Sequence, residues 1–294
     1  MYTRSLSGLL RVLTLLPWSV LRWLGYGFGW ILYVANGREK RNVLANLQIA
    51  YPHLRQPQRL TLTRQVLQET ALTHMEMPRI WRAKSGLADR IDDQGLPQVM
   101  RELVAQGRGL ILAMPHLGNW EMVSSAVDPD LPITGLYRPP RQTSLEPLLL
   151  AGRNNHHIQM VPITRSGLKA LHSALKAGQI VAILPDQVPK SASAAVSAPF
   201  FQRATLTMVL LNRLARRHQT PVLFVWAKRL PTGRYQIGYF VADETIRATD
   251  TQVAATALNQ AVERCIADCP AQYQWAYRRF KSVDSTQSNP YGHL

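Results

Sequence analysis

Cysteine is nearly absent: Cys265 and Cys269 are the only two in 294 residues. With no CxxC pattern, a disulfide scaffold is excluded and no zinc or iron–sulfur cage is offered. Their i, i+4 spacing in a helical stretch reads as two small packed side chains. A reducing compartment fits them, and neither a metal nor a cofactor is expected. Acidic residues are scarce as well, 18 against 34 basic ones, for a formal net charge of +16. Such an excess attracts polyanions: anionic lipid, phosphorylated substrates, an acidic protein or nucleic acid. No nucleic-acid motif is present, so nucleic acid is not an expected partner. The GxSxG serine elbow is also missing. Hydrophobic residues make up 46% of the chain, which excludes disorder for its bulk and supplies one large domain with appendages.

A long charge-free apolar run is lacking too. Residues 5–36 are rich in Leu, Trp and Tyr, but Arg11 and Arg22 leave charge-free stretches only over 12–21 and 23–37. A spanning helix wants about 20 apolar residues. Trp23, Tyr26, Trp30 and Tyr33 nevertheless suit a headgroup-level belt, and a basic cluster, Gly37-Arg38-Glu39-Lys40-Arg41, follows. The expectation is an N-terminal membrane-associated helix over residues 1–41, spanning or interfacial, with the remainder on the cytoplasmic side. Pro17 should separate two helical pieces, and Val34-Ala35-Asn36 makes a poor signal-cleavage site.

The body of the chain, 42–281, reads as one domain, and 282–294 as a frayed polar tail. Residues 42–105 carry helical periodicity, with a break at Tyr51-Pro52. From Gly109 the rhythm changes. Strand patterns at 109–114, 131–137, 160–163, 179–184, 221–230 and 234–242 alternate with helical patterns at 119–127, 144–154, 167–177, 205–218 and 251–267. The last two strands read as a pair joined by the turn around Pro231-Thr232-Gly233. The alternation predicts an α/β fold, a mixed central sheet flanked by helices, with active groups where strands end and helices begin.

The sharpest motif is Met114-Pro115-His116-Leu117-Gly118-Asn119-Trp120-Glu121. A strand delivers a histidine to a turn, and a carboxylate follows as a helix starts. Asn119 can cap that helix, and Gly118 allows tight backbone geometry. Imidazole suits proton removal near neutral pH, and a carboxylate that fixes its tautomer completes a dyad.

These surroundings are similar to a known family, the membrane-bound late acyltransferases of lipid A biosynthesis, related to the mannoside acyltransferases. The resemblance rests on ordered blocks across nearly the whole chain. They are Arg38-Glu39-Lys40-Arg41-Asn42, Asn46-Leu47, Tyr51-Pro52, His116 to Glu121, Tyr137-Arg138-Pro139, Arg153, Asp186-Gln187, Pro199-Phe200-Phe201 and Trp275 to Lys281. In one departure, many relatives carry glycine after the paired phenylalanines, where this chain has Gln202. That bears on the local loop and on chain or acceptor preference more than on the reaction type.

The resemblance implies a glycerolipid-acyltransferase-like fold, an inner-membrane location and transfer of an acyl chain from an acidic acyl carrier protein thioester to a hydroxyl of an anionic glycolipid. It assigns His116 as the general base. Both Glu121 and Asp186 stand as its carboxylate partner, since the corresponding positions are both implicated in relatives. With no cysteine obviously paired to a histidine, direct attack by the acceptor is simpler than an acyl-enzyme. Arg138 and Arg153 are candidates for headgroup or oxyanion contact, Phe200 for the acyl channel, and Arg278 and Arg279 for lipid phosphates. Arg213, Arg216 and Arg217 offer a basic helix for the carrier protein, and His156 and His157 read as surface residues. Two other readings remain open on the sequence: a lipid or thioester hydrolase in which His116 activates water, and a non-catalytic basic protein at a membrane surface.

Overall fold

The computed structural model describes residues 10, 12–83, 87–140, 142–143, 146–154, 157–189, 191–281 and 288–292. Three helices come first: α1 (Trp18–Val34), α2 (Arg38–Ala50) and α3 (Gln56–Arg82). There follow β1 (Ile91–Asp92), α4 (Leu96–Val104), β2 (Leu110–Ala113), β3 (Ile133–Tyr137), α5 (Glu146–Arg153), β4 (Ile158–Pro162), α6 (Arg165–Lys176) and β5 (Ile180–Ile183). The chain continues through β6 (Ala195–Phe200), β7 (Arg203–Met208), α7 (Leu210–His218), β8 (Val222–Arg229), β9 (Tyr235–Val241) and α8 (Thr251–Asp268).

Seven strands form one mixed sheet in the order β1-β9-β8-β2-β5-β3-β4. Strands β8, β2, β5, β3 and β4 run parallel, while β9 pairs antiparallel with β8. The short apolar runs are buried on both faces, as parallel strands under two helical layers must be. Side chains alternate between the layers. Ile111, Ala113, Val181, Ile183 and Phe224 join one core with α2, α6, α7 and α8. Leu110, Leu112, Ile180, Ala182 and Val225 join another with α4 and Met122.

The helical expectation over 205–218 is half right. Thr205, Thr207 and their neighbours belong to β7, which pairs antiparallel with β6 in a separate two-stranded ribbon. Thr205 and Thr207 are buried while Ala204 is exposed, and this period-two pattern of β-branched residues favours strand. The helix begins only at Leu210. Likewise the expected helix over 119–127 is a 3₁₀ turn, Trp120–Ser125.

The expected N-terminal membrane-associated helix, and the inner-membrane, cytoplasmic-face location that went with it, are corrected. Among the described residues no helix is long and apolar enough to cross a membrane. Pro17 does start a new helical piece, but α1 has 17 residues. At 1.5 Å per residue that is about 25 Å, short of the roughly 30 Å hydrocarbon core. The helix is also spoken for on one side. It lies so close against α3 that a Cβ on Gly25 would fall 2.7 Å from Leu72 Cα, and one on Gly29 2.3 Å from Gln68 Cα. Arg22 donates to the Pro231 carbonyl at 2.7 Å. Residues 1–9 and 11 of that expected segment lie outside the described residues.

The carboxyl-terminal stretch is held by the motif asparagines of α2. Asn46 donates to the carbonyls of Trp275 and Tyr277 at 2.6 and 2.8 Å, and Asn42 to that of Ala276 at 3.1 Å. Tyr291 belongs to the expected frayed tail but is only 4% exposed. Its hydroxyl donates to Asn46 and accepts from the Phe280 amide.

Candidate active site

Parallel register places the two central groups. Ala113 of β2 pairs with Ile183 of β5, so both strands end level. Each chain then runs three residues further, to His116 and Asp186. The Asp186 carboxylate accepts from the His116 ring Nδ1 at 2.7 Å and from the His116 main-chain N–H at 2.9 Å. Asp186 is buried, and the His116 side chain is 14% exposed. Burial alone would raise the Asp186 pKa, but the His116 charge and the donors from its ring and main chain outweigh it and hold the carboxyl below its ordinary value. A carboxylate that accepts from Nδ1–H makes Nε2 the acceptor nitrogen in the neutral tautomer. The Trp120 ring lies edge-on to the imidazole, with centroids 5.0 Å apart.

The loop carrying the histidine is locked on every side. The Gly118 N–H donates to the Gln272 carbonyl, the Asn119 N–H to that of Ala227 and the Gln274 N–H to that of His116, each at 3.0 Å. Gly118 has φ 63°, and a Cβ there would sit 1.9 Å from the Ala227 oxygen. Only glycine fits so near another backbone in that conformation. Asn119 does not cap the turn with its side chain. Instead its amide donates to Glu76 at 3.1 Å.

Glu76 opens a buried network that sequence reasoning missed. Its carboxylate also takes hydrogen bonds from Arg229 and Tyr235, and Arg229 reaches Glu69 and Thr73 besides. Burial opposes the Arg229 charge, yet nearby Tyr235 and the two glutamates outweigh it and drive its pKa upward. The signal lay in Glu69, Thr73 and Glu76, which recur on one face of a helix, but their partner Arg229 is 153 residues from Glu76 in sequence.

Glu121 has other partners than His116. Its carboxylate accepts from Trp81 at 2.8 Å and Trp120 at 3.1 Å, and forms an ion pair with Arg153. The Arg153 guanidinium also lies 5.8 Å from the centre of the Trp81 ring. This clamp joins α3, the 3₁₀ turn and α5.

Next to the dyad opens a cleft of about 760 Å³, bordered by His116, Arg138, Arg153, Gln187, Leu149 and Met208. Arg138 is exposed just past β3. Arg153, Leu136 and Leu184 also border a smaller, mainly apolar pocket of about 80 Å³ lined by Val127, Ile133, Ile158 and Met160. The expected substrate residues divide accordingly. Arg138 and Arg153 meet the cleft, whereas Phe200 and Arg279 lie in the interior. Phe200 is fully buried against Phe201 and Phe280. Arg279 is 2% exposed and donates to Leu206, Thr207 and Asn259. Arg278, half-buried, donates to Asn42. Arg213, Arg216 and Arg217 run along α7, the latter two in its last turn, and His157 is half-buried. His156 lies outside the described residues.

Cys265 and Cys269 are buried free thiols. Burial, helped by the Asp268 charge, pushes Cys269 up to about 12. Among the described residues no three His, Cys, Asp or Glu side chains are grouped to hold a metal ion.

Comparison with known proteins bears on the family of the chain. The sequence profile of the family "Bacterial lipid A biosynthesis acyltransferase" matches residues 5–282. The lipid A biosynthesis lauroyltransferase of Escherichia coli (strain K12) is 28% identical over 281 residues, 94% of this chain and 90% of that protein. The lipid A biosynthesis palmitoleoyltransferase of the same organism is 25% identical over 289 residues, 97% and 92% of the two chains. A lipid A biosynthesis acyltransferase of Haemophilus influenzae is 25% identical over 251 residues, 84% and 76%.

Proposed function

The chain belongs to the bacterial lipid A biosynthesis acyltransferases and is an O-acyltransferase; from that premise we propose that it moves a fatty acyl chain from an acyl carrier protein thioester to a hydroxyl of a lipid A precursor. His116 acts as general base. Its Nε2 takes the proton of the acceptor hydroxyl, while Asp186 fixes the Nδ1–H tautomer and stabilises the imidazolium. The alkoxide adds to the thioester carbonyl. Collapse of the tetrahedral intermediate breaks the C–S bond, and the departing thiolate takes the proton from His116.

What supports this reading is above all the 2.7 Å His116–Asp186 contact at the side of the large cleft. An excess of basic groups suits an acidic donor protein and an anionic acceptor. Arg138 at the edge of the cleft suits contact with acceptor phosphate or the developing oxyanion. The mainly apolar pocket beyond Arg153 suits the distal part of the acyl chain. Purified protein incubated with an acyl carrier protein thioester should form ester only when a lipid A precursor is supplied. His116→Ala should lower that rate by about 10²–10⁴, and full activity in the variant would remove the base assignment.

A further inference from the structure

The base borders the cleft, but its Nε2 already has a partner there. Gln187, immediately after Asp186, places its side-chain Nε2 3.2 Å from His116 Nε2. The same amide nitrogen lies 3.5 Å from Oε1 of Gln274. Two acceptors around one nitrogen orient the amide: one N–H meets the imidazole lone pair and the other the Gln274 oxygen. The residues on either side have partners of their own. Asp186 is bound by His116, and the Val188 N–H donates to the Tyr277 hydroxyl at 3.0 Å. The Gln187 side chain can therefore leave without dismantling the dyad. Its amide stands where the acceptor hydroxyl must stand, about 3 Å from Nε2.

We propose that Gln187 is a positioning residue that plugs the resting base, so that the enzyme discriminates between a glycolipid alcohol and water. The proposal rests on the acyltransfer reading above. Displacing the amide breaks the contact with His116 and strains the one with Gln274. An alcohol carried by a large acceptor brings binding energy from the rest of its molecule to that exchange. A lone water brings only its own hydrogen bonds. Without the plug, water reaches Nε2, gives it a proton and adds as hydroxide to the thioester carbonyl. The C–S bond breaks, the thiolate takes the proton back, and the products are free fatty acid and thiol.

The test is a partition measurement. A dodecanoyl thioester of acyl carrier protein and a lipid A precursor are incubated with wild type, Gln187→Ala and Gln274→Ala, and free dodecanoic acid and ester are quantified in the same sample. The ratio is independent of the fraction of protein correctly folded. Gln187→Ala should raise the acid-to-ester ratio by about tenfold, the scale of one lost hydrogen bond. Gln274→Ala, which removes only the second anchor, should raise it by a few-fold. An unchanged ratio in Gln187→Ala, with wild type forming ester normally, overturns the plug and leaves the transfer reaction standing. A wild type that forms no ester overturns the transfer reading and the plug with it.

Discussion

Asp186 and Glu121 show how two carboxylates take different work from their surroundings. Asp186 holds the ring, and Glu121 holds an arginine. Asp186→Asn should therefore lower the rate of acyl transfer by about 10²-fold or more through loss of tautomer control. Glu121→Ala should act differently. It strands Arg153 beside Trp81, and chemical denaturation should show a loss of about 1–3 kcal/mol, with the pH dependence of the rate unmoved. Asp186 also links stability to acidity. A carboxyl held below its ordinary pKa contributes stability that is complete above about 3.9 and lost as pH falls through its lower folded-state value. Urea melts between about pH 6 and pH 2 should show the wild-type advantage over Asp186→Asn shrinking below about pH 4. The histidine was legible because its strand, turn and glycine are contiguous. The choice between the two acids was not, because it depends on which strand becomes the neighbour of β2.

Among the elements, the β6–β7 ribbon carries the clearest local tension. Its two turn residues, Phe201 and Gln202, have φ of 47° and 62°. Two left-handed residues joining antiparallel strands make the tight hairpin turn that matches strand twist. A side chain held in that conformation costs about 1 kcal/mol or more. Gln202→Gly should stabilise the protein by about 0.5–1 kcal/mol, read as a higher urea midpoint at unchanged slope. Phe201 resists the same exchange because its ring packs on Tyr51 and Trp275. Several blocks that made the family legible turn out to be mutual supports. The α2 asparagines and Tyr51 grip the Trp275 segment. The sheet was readable from apolar runs and the ribbon was not, because Thr205 to Met208 leads without a break into helix-forming residues.

Across the whole molecule, two long-range ties bind layers that the sequence keeps far apart. One is the Tyr291–Asn46–Trp275 set, and the other is the Glu69–Glu76–Arg229–Tyr235 network. Arg229→Ala should cost about 3–5 kcal/mol, because it strands buried Glu76 beneath the His116 loop. Calorimetry should report this as a lower melting temperature, and the replacement should slow acyl transfer too, since Asn119 loses its aligned acceptor. Such ties were invisible to any pattern of local period. The level strand ends of β2 and β5 have a further consequence for how this enzyme can diverge. Side-chain identity between Ala113 and His116, or between Ile183 and Asp186, is open to change wherever packing allows. The number of peptide links in those two runs is not. One inserted or deleted codon in either would advance or retract the residue at its own end by a full peptide unit and part it from the other, so drift in this lineage must confine its length polymorphism to other loops.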